Sequence, residues 1–251
     1  MGSSIPSGRA ARVLVCVLAA GASSRMGFPK LLAAFSGSDG AGTCLLAHAC
    51  ASALDSRATQ VAVVTGAYAG EMAPVLEELR GRFERSRQSV KGAEPADSAS
   101  AHEPRLVELR NDAWSQGQVT SVRLAAQYVL AHDFDAVIFM AADQPFVEAG
   151  HLDALIAAFE NMRAAEAADG TGTSFALRSR CGTRQGNPCL FPRETLPLFE
   201  TLTGDEGARQ LFRSGALAAV PADIPPVPGH DVFCDLDTPD EFERFKALRS
   251  M

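Results

Sequence analysis

Short apolar runs alternate with longer amphipathic stretches along the first two thirds of the chain. Four of these runs predict β-strands, at 12–20, 59–67, 105–111 and 135–143. The first and the fourth, "RVLVCVLAA" and "DAVIFMAAD", are almost continuously apolar, which is typical of parallel strands covered on both faces. The pattern therefore predicts the centre of a parallel sheet.

Helical patterns fill the intervals between these strands, at about 43–55, 70–83, 119–132 and 150–168. In the third interval, apolar residues recur at spacings of three and four and form one stripe: Val122, Ala125, Ala126 and Val129. Alternating strands and helices imply right-handed crossovers between parallel strands. We therefore expect an α/β fold of three layers with a mostly parallel sheet.

The last third of the chain predicts a smaller, β-rich portion. Short runs at 174–180, 187–191, 216–222 and 230–237 are interpreted as strands, and a last helix is expected from about Pro239. We predict one domain over 12–248, preceded by a flexible tail, 1–11.

Two stretches of small and polar residues interrupt this pattern. Residues 86–104, "SRQSVKGAEPADSASAHEP", carry almost no large apolar side chain, which predicts a solvated, mobile insertion. A second soft stretch, 35–43, follows the first strand and its loop. Both are interpreted as insertions and not as domain boundaries.

Composition narrows the classes of function. The 251 residues are 47% hydrophobic and 21% charged, as in soluble globular proteins. A net charge of −7 argues against a nucleic-acid surface, so an anionic ligand would need local cations or a metal ion. No apolar stretch is long enough to predict a membrane span. Six cysteines without a C-x-x-C pair predict reduced thiols and a cytoplasmic protein.

The stretch "VLAAGASSRMGFPK" (17–30) leaves the first predicted strand at the edge where open α/β sheets bind ligands. Gly21 and Gly27 can adopt positive φ and let backbone N–H groups approach an anion. Arg25 offers a planar fork for phosphate oxygens, and Lys30 offers a compact charge. Neither the P-loop nor the dinucleotide-binding pattern is present. A glycine-rich turn with two solvated cations is the alternative.

Carboxylates follow in two later segments. Asp143 ends the fourth strand, where a buried carboxylate needs a partner such as Mg²⁺ facing a triphosphate. The alternative is a cap of the next helix. Asp235 and Asp237 would share one face of a strand and repel each other unless a cation relieves them. Asp237 could instead cap the last helix.

The segment "NDAWSQGQVTS" (111–121) joins the third strand to a helix. Asn111 follows the strand, and Gly117 precedes the helical stripe. Free N–H groups at the helix start, with Ser121 in the first turn, could meet a phosphate or a pterin oxygen. Trp114, the only tryptophan, is more readily interpreted as a packing residue than as a ligand contact.

Together these segments resemble the nucleotidyltransferases of the molybdenum cofactor type. The opening stretch matches their pattern L-A-[AG]-G-x-[SG]-x-R-[MF]-G-x-x-K, and "MAADQPFV" (140–147) resembles their G-D-Q-P metal motif with Ala142 in place of glycine. "RNDAWSQGQVTSVRLA", "RQGNPCLFP", "GDEGARQLF" and "CDLDTPDEF" follow in the expected order. The resemblance covers about 12–245, except 84–104.

This resemblance implies a Rossmann-like nucleotidyltransferase fold and Mg²⁺-dependent transfer of CMP from CTP to molybdopterin, with release of pyrophosphate. The implied catalytic residues are Arg25, Lys30 and Asp143, and the implied metal ligands are Asp143, Asp237 and Asp235. The implied nucleotide-binding residues are Leu18, Ala19, Ala20, Gly21, Ser23, Arg25, Lys30, Asn111, Gly117 and Ser121. An apo-molybdoenzyme is a further possible partner.

The nucleotide and the acceptor leave alternatives open. Ala20 stands in "LAAG", whereas related guanylyltransferases carry "LAGG", which favours CTP over GTP. One Cβ near the base discriminates by only ~1–3 kcal/mol. Guanylyl or other nucleotidyl transfer to a related phosphorylated acceptor is one alternative. The other is a non-catalytic maturation chaperone that binds molybdenum cofactor.

Overall fold

The computed structural model describes residues 9–36, 42–89, 104–169, 175–204 and 206–249. The strands are β1 (Val13–Leu18), β2 (Ala34–Ser36), β3 (Gly42–Cys44), β4 (Gln60–Thr65), β5 (Leu106–Arg110), β6 (Ala136–Ala141), β7 (Phe175–Cys181), β8 (Arg184–Pro192) and β9 (Ala218–Asp223). The α-helices are α1 (Leu45–Asp55), α2 (Ala69–Ser89), α3 (Gln118–Ala131), α4 (Ala149–Asp169), α5 (Arg209–Arg213) and α6 (Pro239–Arg249). Three segments form 3₁₀ helices: Lys30–Leu32, Trp114–Gln116 and Arg193–Thr201.

Seven strands form one sheet in the order β5-β4-β1-β6-β8-β7-β9. The first four are mutually parallel, β8 runs antiparallel to both β6 and β7, and β9 runs parallel to β7. The mostly parallel sheet predicted from the apolar runs is confirmed, and so is the β-rich last third. β2 and β3 pair separately as a small antiparallel ribbon.

The core lies on both faces of this sheet, because side chains along a strand point alternately to either side. Val13, Val15 and Val17 of β1 are buried with apolar residues of α1, α2, α4 and α6. Leu14 and Cys16 are buried on the opposite face with the apolar stripe of α3 and with the 3₁₀ segment Arg193–Thr201. The result is the three-layer arrangement that the sequence predicts.

The strand expected at 230–237 is absent from the described residues and is the clearest error of the sequence analysis. The buried residues there are Val232, Phe233 and Leu236, and this spacing does not repeat every two residues. A side-chain turn starts the segment, since Asp231 Oδ1 accepts a bond from the Phe233 N–H at 3.1 Å. Asp235 and Asp237 therefore do not share a strand face.

Three further regions differ from the prediction or lie outside the described residues. α2 continues to Ser89, over the first residues of the expected insertion, and the soft stretch 35–43 includes parts of β2 and β3. Residues 90–103 and 1–8 lie outside the described part of the chain. None of the described helices is both long and apolar enough to span a bilayer.

Candidate active site

The loop after β1 carries the first half of the site. Ser23 has φ +51° and Gly27 has φ +71°, so this short turn uses the left-handed region twice. Gly21, expected to need the same freedom, does not lie in that region. A Cβ at Gly21 would meet no atom within 4 Å. Gly27 therefore provides the left-handed backbone that the turn needs, whereas the space beside Gly21 is open and its backbone does not require glycine.

A cavity of about 450 Å³ lies over this loop, at the carboxyl ends of β1 and β6. Most of the residues predicted for the site line it: Leu18, Ala19, Ala20, Gly21, Ser23, Arg25, Lys30, Gly117, Ser121, Asp143 and Asp237. The fold therefore brings together side chains that are separated by more than two hundred positions in the sequence.

Asn111 is predicted to bind nucleotide, but it is not among the cavity-lining residues. Its amide is buried, and Nδ2 donates to Thr120 Oγ1 at 2.8 Å and to Ser121 Oγ at 2.9 Å. Its Oδ1 accepts from the Ala113 N–H at 3.0 Å. Asn111 therefore fixes the turn before α3, and Ser121 takes the position facing the cavity.

Lys30 is the most strongly anchored cation of the site. Its Nζ donates to Asp143 Oδ2 at 2.6 Å, to the Leu236 carbonyl at 2.7 Å and to Asp237 Oδ1 at 3.2 Å. The residue is only 8% exposed, because it starts a 3₁₀ helix whose next residue, Leu31, is in the core. The ammonium is thus a fixed internal charge and not the solvated cation of the alternative interpretation.

Arg25 lies at the rim of the same cavity. Its Nη1 donates to Asp237 Oδ2 at 3.2 Å, while its side chain is 77% exposed. An exposed pair of this kind contributes little to stability. The guanidinium is therefore available for an incoming anion, whereas Lys30 is already engaged.

Oxygen atoms converge on the position of the Lys30 ammonium, and this arrangement tests whether the site suits a metal ion. Asp143 Oδ2, Asp237 Oδ1 and the Leu236 carbonyl oxygen all lie within 3.2 Å of Nζ. Hard oxygen donors of this kind suit Mg²⁺ or Mn²⁺, with phosphate oxygens completing the shell. No preformed cluster of three or more metal-ligating side chains occurs among the described residues. The protein thus offers two carboxylates that fit a metal brought in with a triphosphate.

Asp235, the third carboxylate predicted for the metal, lines a neighbouring cavity and not this one. Burial raises the pKa of its carboxyl, and the nearby charges of Asp143 and Asp237 raise that pKa further. Its place in the second cavity, and not its pKa, separates Asp235 from the pair Asp143 and Asp237.

Neither of the two metal candidates is a helix cap, which was the alternative for both. α6 is capped by Thr238, whose Oγ1 accepts from the Glu241 N–H at 3.3 Å. The Glu241 carboxylate reaches back to the Thr238 N–H at 2.9 Å, which completes a capping box. Asp143 lies well before α4, which begins at Ala149. Both aspartates are therefore free of a capping role.

A second cavity, of about 700 Å³, opens beside the first over β8 and α5. The two cavities share the residues Leu18, Gln118, Ala141, Asp143 and Asp237. Because Asp143 and Asp237 line both, a ligand in either cavity reaches the same pair of carboxylates. The two cavities therefore meet at Asp143 and Asp237.

Arginines and aromatic rings line the second cavity. Arg178 and Arg209 have no carboxylate partner in the described part of the chain, while Arg213 pairs with Glu206 at 2.5 Å. Phe191 and Phe212 are stacked with ring centroids 5.7 Å apart. Phe191 is buried and Phe212 is partly exposed, so the cavity offers a ligand two arginines and the ring of Phe212.

Cys189 also lines the second cavity, but its thiol is not expected to be reactive. Burial raises the pKa of its thiol to about 12, although the charges of Arg178 and Arg209 act in the opposite direction. A thiol with so high a pKa is not a nucleophile near neutral pH. All six cysteines of the chain are free.

Sequence reasoning missed several residues of the site. Trp114, interpreted as a packing residue, is 36% exposed and lines the first cavity. Gln118 lines both cavities, and its side chain approaches Gly207 of the segment before α5. The only available signal for Gln118 was its place at the start of a helix next to Gly117. Arg209 lies in "GDEGARQLF", a segment of the family resemblance to which no residue role was assigned, and nothing in the local pattern around Arg178 marks a ligand.

Comparisons with known proteins fit this geometry. The model of the MobA-like NTP transferase domain matches residues 15–220, which include both cavities except Asp235 and Asp237. The purine catabolism protein PucB of Bacillus subtilis is 30% identical over 135 residues, or 54% of this chain and 58% of that protein. The matched part thus spans little more than half of that relative.

Two solved structures share the fold at low sequence identity. Rv0371c of Mycobacterium tuberculosis is 21% identical, with a TM-score of 0.64 over 95% of this chain and 100% of that one. It has also been solved as a complex with manganese. Molybdopterin-guanine dinucleotide biosynthesis protein A of Archaeoglobus fulgidus is 14% identical, with a TM-score of 0.54 over 94% and 98% of the two chains. The predicted Rossmann-like nucleotidyltransferase fold is confirmed, and the chain belongs to the family of MobA-like NTP transferase domains.

Proposed function

We propose that this nucleotidyltransferase transfers CMP from CTP to a molybdopterin-type acceptor and releases pyrophosphate in a Mg²⁺-dependent reaction. The observation that carries the proposal is the meeting of two cavities at one pair of carboxylates, Asp143 and Asp237. One cavity has the loop predicted for a triphosphate, and the other has the cations and rings expected for a phosphorylated pterin.

The first cavity suits a triphosphate because the positive groups of the cavity lie together at one end. Arg25 is exposed at the rim, and Lys30 lies deeper beside Asp143. A fork-shaped guanidinium and a compact ammonium bind phosphate oxygens in complementary ways. In this assignment, both charges stabilise the negative charge that develops on the departing pyrophosphate.

Mg²⁺ is assigned to Asp143 and Asp237, whose oxygens converge on one cation position in the structure. When bound there, the ion neutralises phosphate charge and aligns the triphosphate for displacement. The complex of Rv0371c with manganese supports a divalent metal in this fold. Asp235 remains the weaker, third candidate, at the border of the acceptor cavity.

The acceptor is assigned to the second cavity. Its partly exposed ring, Phe212, suits a flat heterocycle, and its arginines, Arg178 and Arg209, suit anionic groups. Asn187 lines the same cavity and offers both a donor and an acceptor to a heterocycle. The family name and the A. fulgidus protein support molybdopterin as the acceptor.

The chemistry is an in-line displacement at phosphorus. An oxygen of the acceptor's terminal phosphate attacks the α-phosphorus of CTP and forms the new P–O bond. The bond from that phosphorus to the bridging oxygen breaks, and its electron pair leaves with pyrophosphate. The protein has little covalent work to do, because positioning and charge neutralisation dominate such reactions.

CTP is preferred over GTP on the basis of Ala20 in "LAAG". Ala20 lines the cavity assigned to the nucleotide and packs against Gly66. Free thiols throughout the chain support a reducing compartment, and we assign the reaction to the cytoplasm on that basis.

A thermal-shift panel with CTP, GTP, ATP and UTP, each with Mg²⁺, tests the nucleotide. A ligand at 100 times its Kd adds ~2.7 kcal/mol of stability, so a specific ligand gives a clear shift. We expect the largest shift with CTP. An equal or larger shift with GTP would discard the cytidylyl assignment and leave the fold and the family intact.

Pyrophosphate release tests the reaction itself. We expect release from CTP only when molybdopterin and Mg²⁺ are both present, and none from the Asp143→Asn variant. A protein that binds molybdopterin and CTP but never releases pyrophosphate would instead be the non-catalytic maturation chaperone.

A further inference from the structure

Gly66 occupies a position in which no other residue fits. It directly follows β4, and a Cβ built on it would lie 2.6 Å from the Ala20 carbonyl oxygen and 2.7 Å from Trp114 Cβ. It would also lie 2.8 Å from Ala20 Cβ. These neighbours are backbone and first side-chain atoms, so they cannot rotate away. The backbone of Gly66 is not left-handed, which leaves the lack of space as the reason for glycine.

Hydrogen bonds hold this close approach in place on both sides of Gly66. The Ala19 N–H donates to the Val64 carbonyl at 2.9 Å, and the Ala67 N–H donates to the Ala20 carbonyl at 3.1 Å. The end of β1 is thereby fixed to the end of β4. Any residue larger than glycine at position 66 must therefore move this junction.

The Trp114 turn is tied to the same strand end. The Asn111 N–H donates to the Thr65 carbonyl at 2.9 Å, and the Trp114 N–H donates to the Asn111 carbonyl at 3.4 Å. Through Thr65 and Gly66, the position of Trp114 relative to Ala20 is therefore set by one short piece of backbone.

Ala20 and Trp114 are both walls of the first cavity, and the charges of that cavity lie elsewhere. Arg25, Lys30 and Asp143 are grouped beyond the loop, where the phosphates are assigned. The end with Trp114 and Ala20 carries an apolar ring and small groups. With the phosphates assigned to Arg25 and Lys30, the remaining part of the cavity, with Trp114 and Ala20, is left for the base.

Trp114 has a further property that points to a ligand. It is 36% exposed and one of three large apolar side chains exposed in the described residues, and it is the one that lines the cavity. Stacking a nucleobase on an exposed indole removes apolar surface of both from water. We propose that Trp114 contacts the base of the bound nucleotide and that Gly66 is the positioning residue that sets its distance from Ala20. The proposal rests on the proposed nucleotide site.

The test uses the full chain and CTP with Mg²⁺ as the probe. Because Trp114 is the only tryptophan, its fluorescence reports directly on the site, and we expect CTP to quench it in the wild type. In Trp114→Ala, followed by thermal shift, we expect the Kd for CTP to rise roughly 5- to 150-fold, the range for losing one aromatic stacking partner of a base. Trp114→Phe should retain part of the affinity.

Inorganic tripolyphosphate separates a base contact from a general defect. It has no base, so Trp114→Ala should bind it as the wild type does. An equal loss for tripolyphosphate and CTP would overturn the base assignment. A wild-type Kd for CTP in Trp114→Ala would overturn it as well.

Gly66→Ala tests the positioning role against a matched control. Gly70 lies at the start of α2, and a Cβ there would meet no atom within 4 Å. We expect Gly70→Ala to bind CTP normally and Gly66→Ala to lose CTP affinity by tenfold or more. Normal CTP affinity in Gly66→Ala overturns the positioning role. If Gly66→Ala does not fold, the Trp114 variants still decide the contact. If the wild type binds none of the four nucleotides, both the proposed function and this inference fail. If the wild type binds CTP and Trp114→Ala binds it equally well, only this inference fails.

Discussion

The Lys30 ammonium lies 2.6 Å from Asp143 Oδ2, so the residue assigned to the triphosphate is paired with a residue assigned to the metal. Asp237 shares the same ammonium at 3.2 Å. Lys30 thus neutralises two carboxylates that would otherwise face each other. In the proposed reaction, a metal ion would give these carboxylates another cation and a triphosphate would give Lys30 another anion.

Replacing Lys30 by methionine keeps most of the volume and removes the charge. We expect turnover to fall roughly 10²–10³-fold, the range for losing one preorganised charge in a closed site. Without metal, the free energy of unfolding should also fall, because Asp143 and Asp237 lose their shared partner. Chemical denaturation and pyrophosphate release measure the two effects. Lys246→Met, on the exposed face of α6, is the control. Unchanged turnover in Lys30→Met would show that the loop after β1 is a structural turn without a role in the reaction.

Asp143→Asn and Asp237→Asn should each lower Mg²⁺ affinity and turnover sharply. The double variant should be little worse than either, since ligands of one ion act as a unit. Asp235→Asn should have a smaller effect, because that side chain borders the acceptor cavity. The measurement is Mg²⁺-dependent pyrophosphate release for all four variants.

Thr238→Ala provides the control for this series. It removes the cap of α6 next to Asp237 and should cost about 1 kcal/mol of stability without changing Mg²⁺ affinity. A nearly silent Asp237→Asn beside an inactive Asp143→Asn would remove Asp237 from the metal site.

The stretch 90–103, between α2 and the residues before β5, should be replaceable by a short Gly/Ser linker. Its sequence offers almost no apolar surface, so we expect unfolding free energy to change by less than about 0.5 kcal/mol. Pro104 must stay, since its carbonyl accepts a bond from Gln60 Nε2 at 2.8 Å. Loss of folding or of CTP binding would show that 90–103 has a structural role.

We expect His151 to make the stability of the protein dependent on pH. Its Nδ1 accepts from the Glu148 N–H at 2.8 Å, and its Nε2 donates to the Pro225 carbonyl at 3.1 Å, so the neutral ring is required. Burial lowers the pKa of His151, and burial lowers that of His48 in the same direction. The unfolded chain therefore binds more protons in acid, and stability, complete above about pH 6.5, should fall below it.

Denaturation curves at pH 7.5 and 5.5 measure this effect. His151→Gln should be less stable than the wild type at pH 7.5 but lose less stability on acidification, with His48 supplying the remainder. His132→Gln, on the exposed end of α3, should keep the wild-type difference. The same difference in His151→Gln would assign the pH dependence to other groups.

The sheet was largely predictable because its central strands are buried on both faces. Continuous apolar runs predict β1 and β6, and the apolar stripe of α3 predicts which face of that helix is buried. The segment 230–237 was not predictable as irregular structure, since Val232, Phe233 and Leu236 are apolar residues that tertiary contacts bury without a strand partner. Local pattern cannot distinguish these two cases.

The site was predictable where a backbone feature and a charge occur together. The glycine-rich loop with Arg25 and Lys30 meets that condition, and the structure brings it to Asp143 and Asp237. The burial of Lys30 was not predictable, because its partners come from positions far along the chain. Trp114 was misjudged, since burial of a tryptophan is the general rule and its exposure depends on the turn that presents it.

Because β8 runs antiparallel to β6, the two cavities of the candidate site are lined by different parts of the amino-acid sequence. A strand parallel to β6 would end at the cavity, whereas β8 begins there, so Gly186 and Asn187 reach the same edge as the end of β6. The cavity proposed for the nucleotide is lined mainly by residues before 144, and the cavity proposed for the acceptor mainly by residues after 177. A chimaera that takes 175–223 from a relative with another acceptor should therefore keep its nucleotide and change its second substrate. New specificities can arise in such a chain by exchanging one contiguous segment while the chemistry is inherited intact.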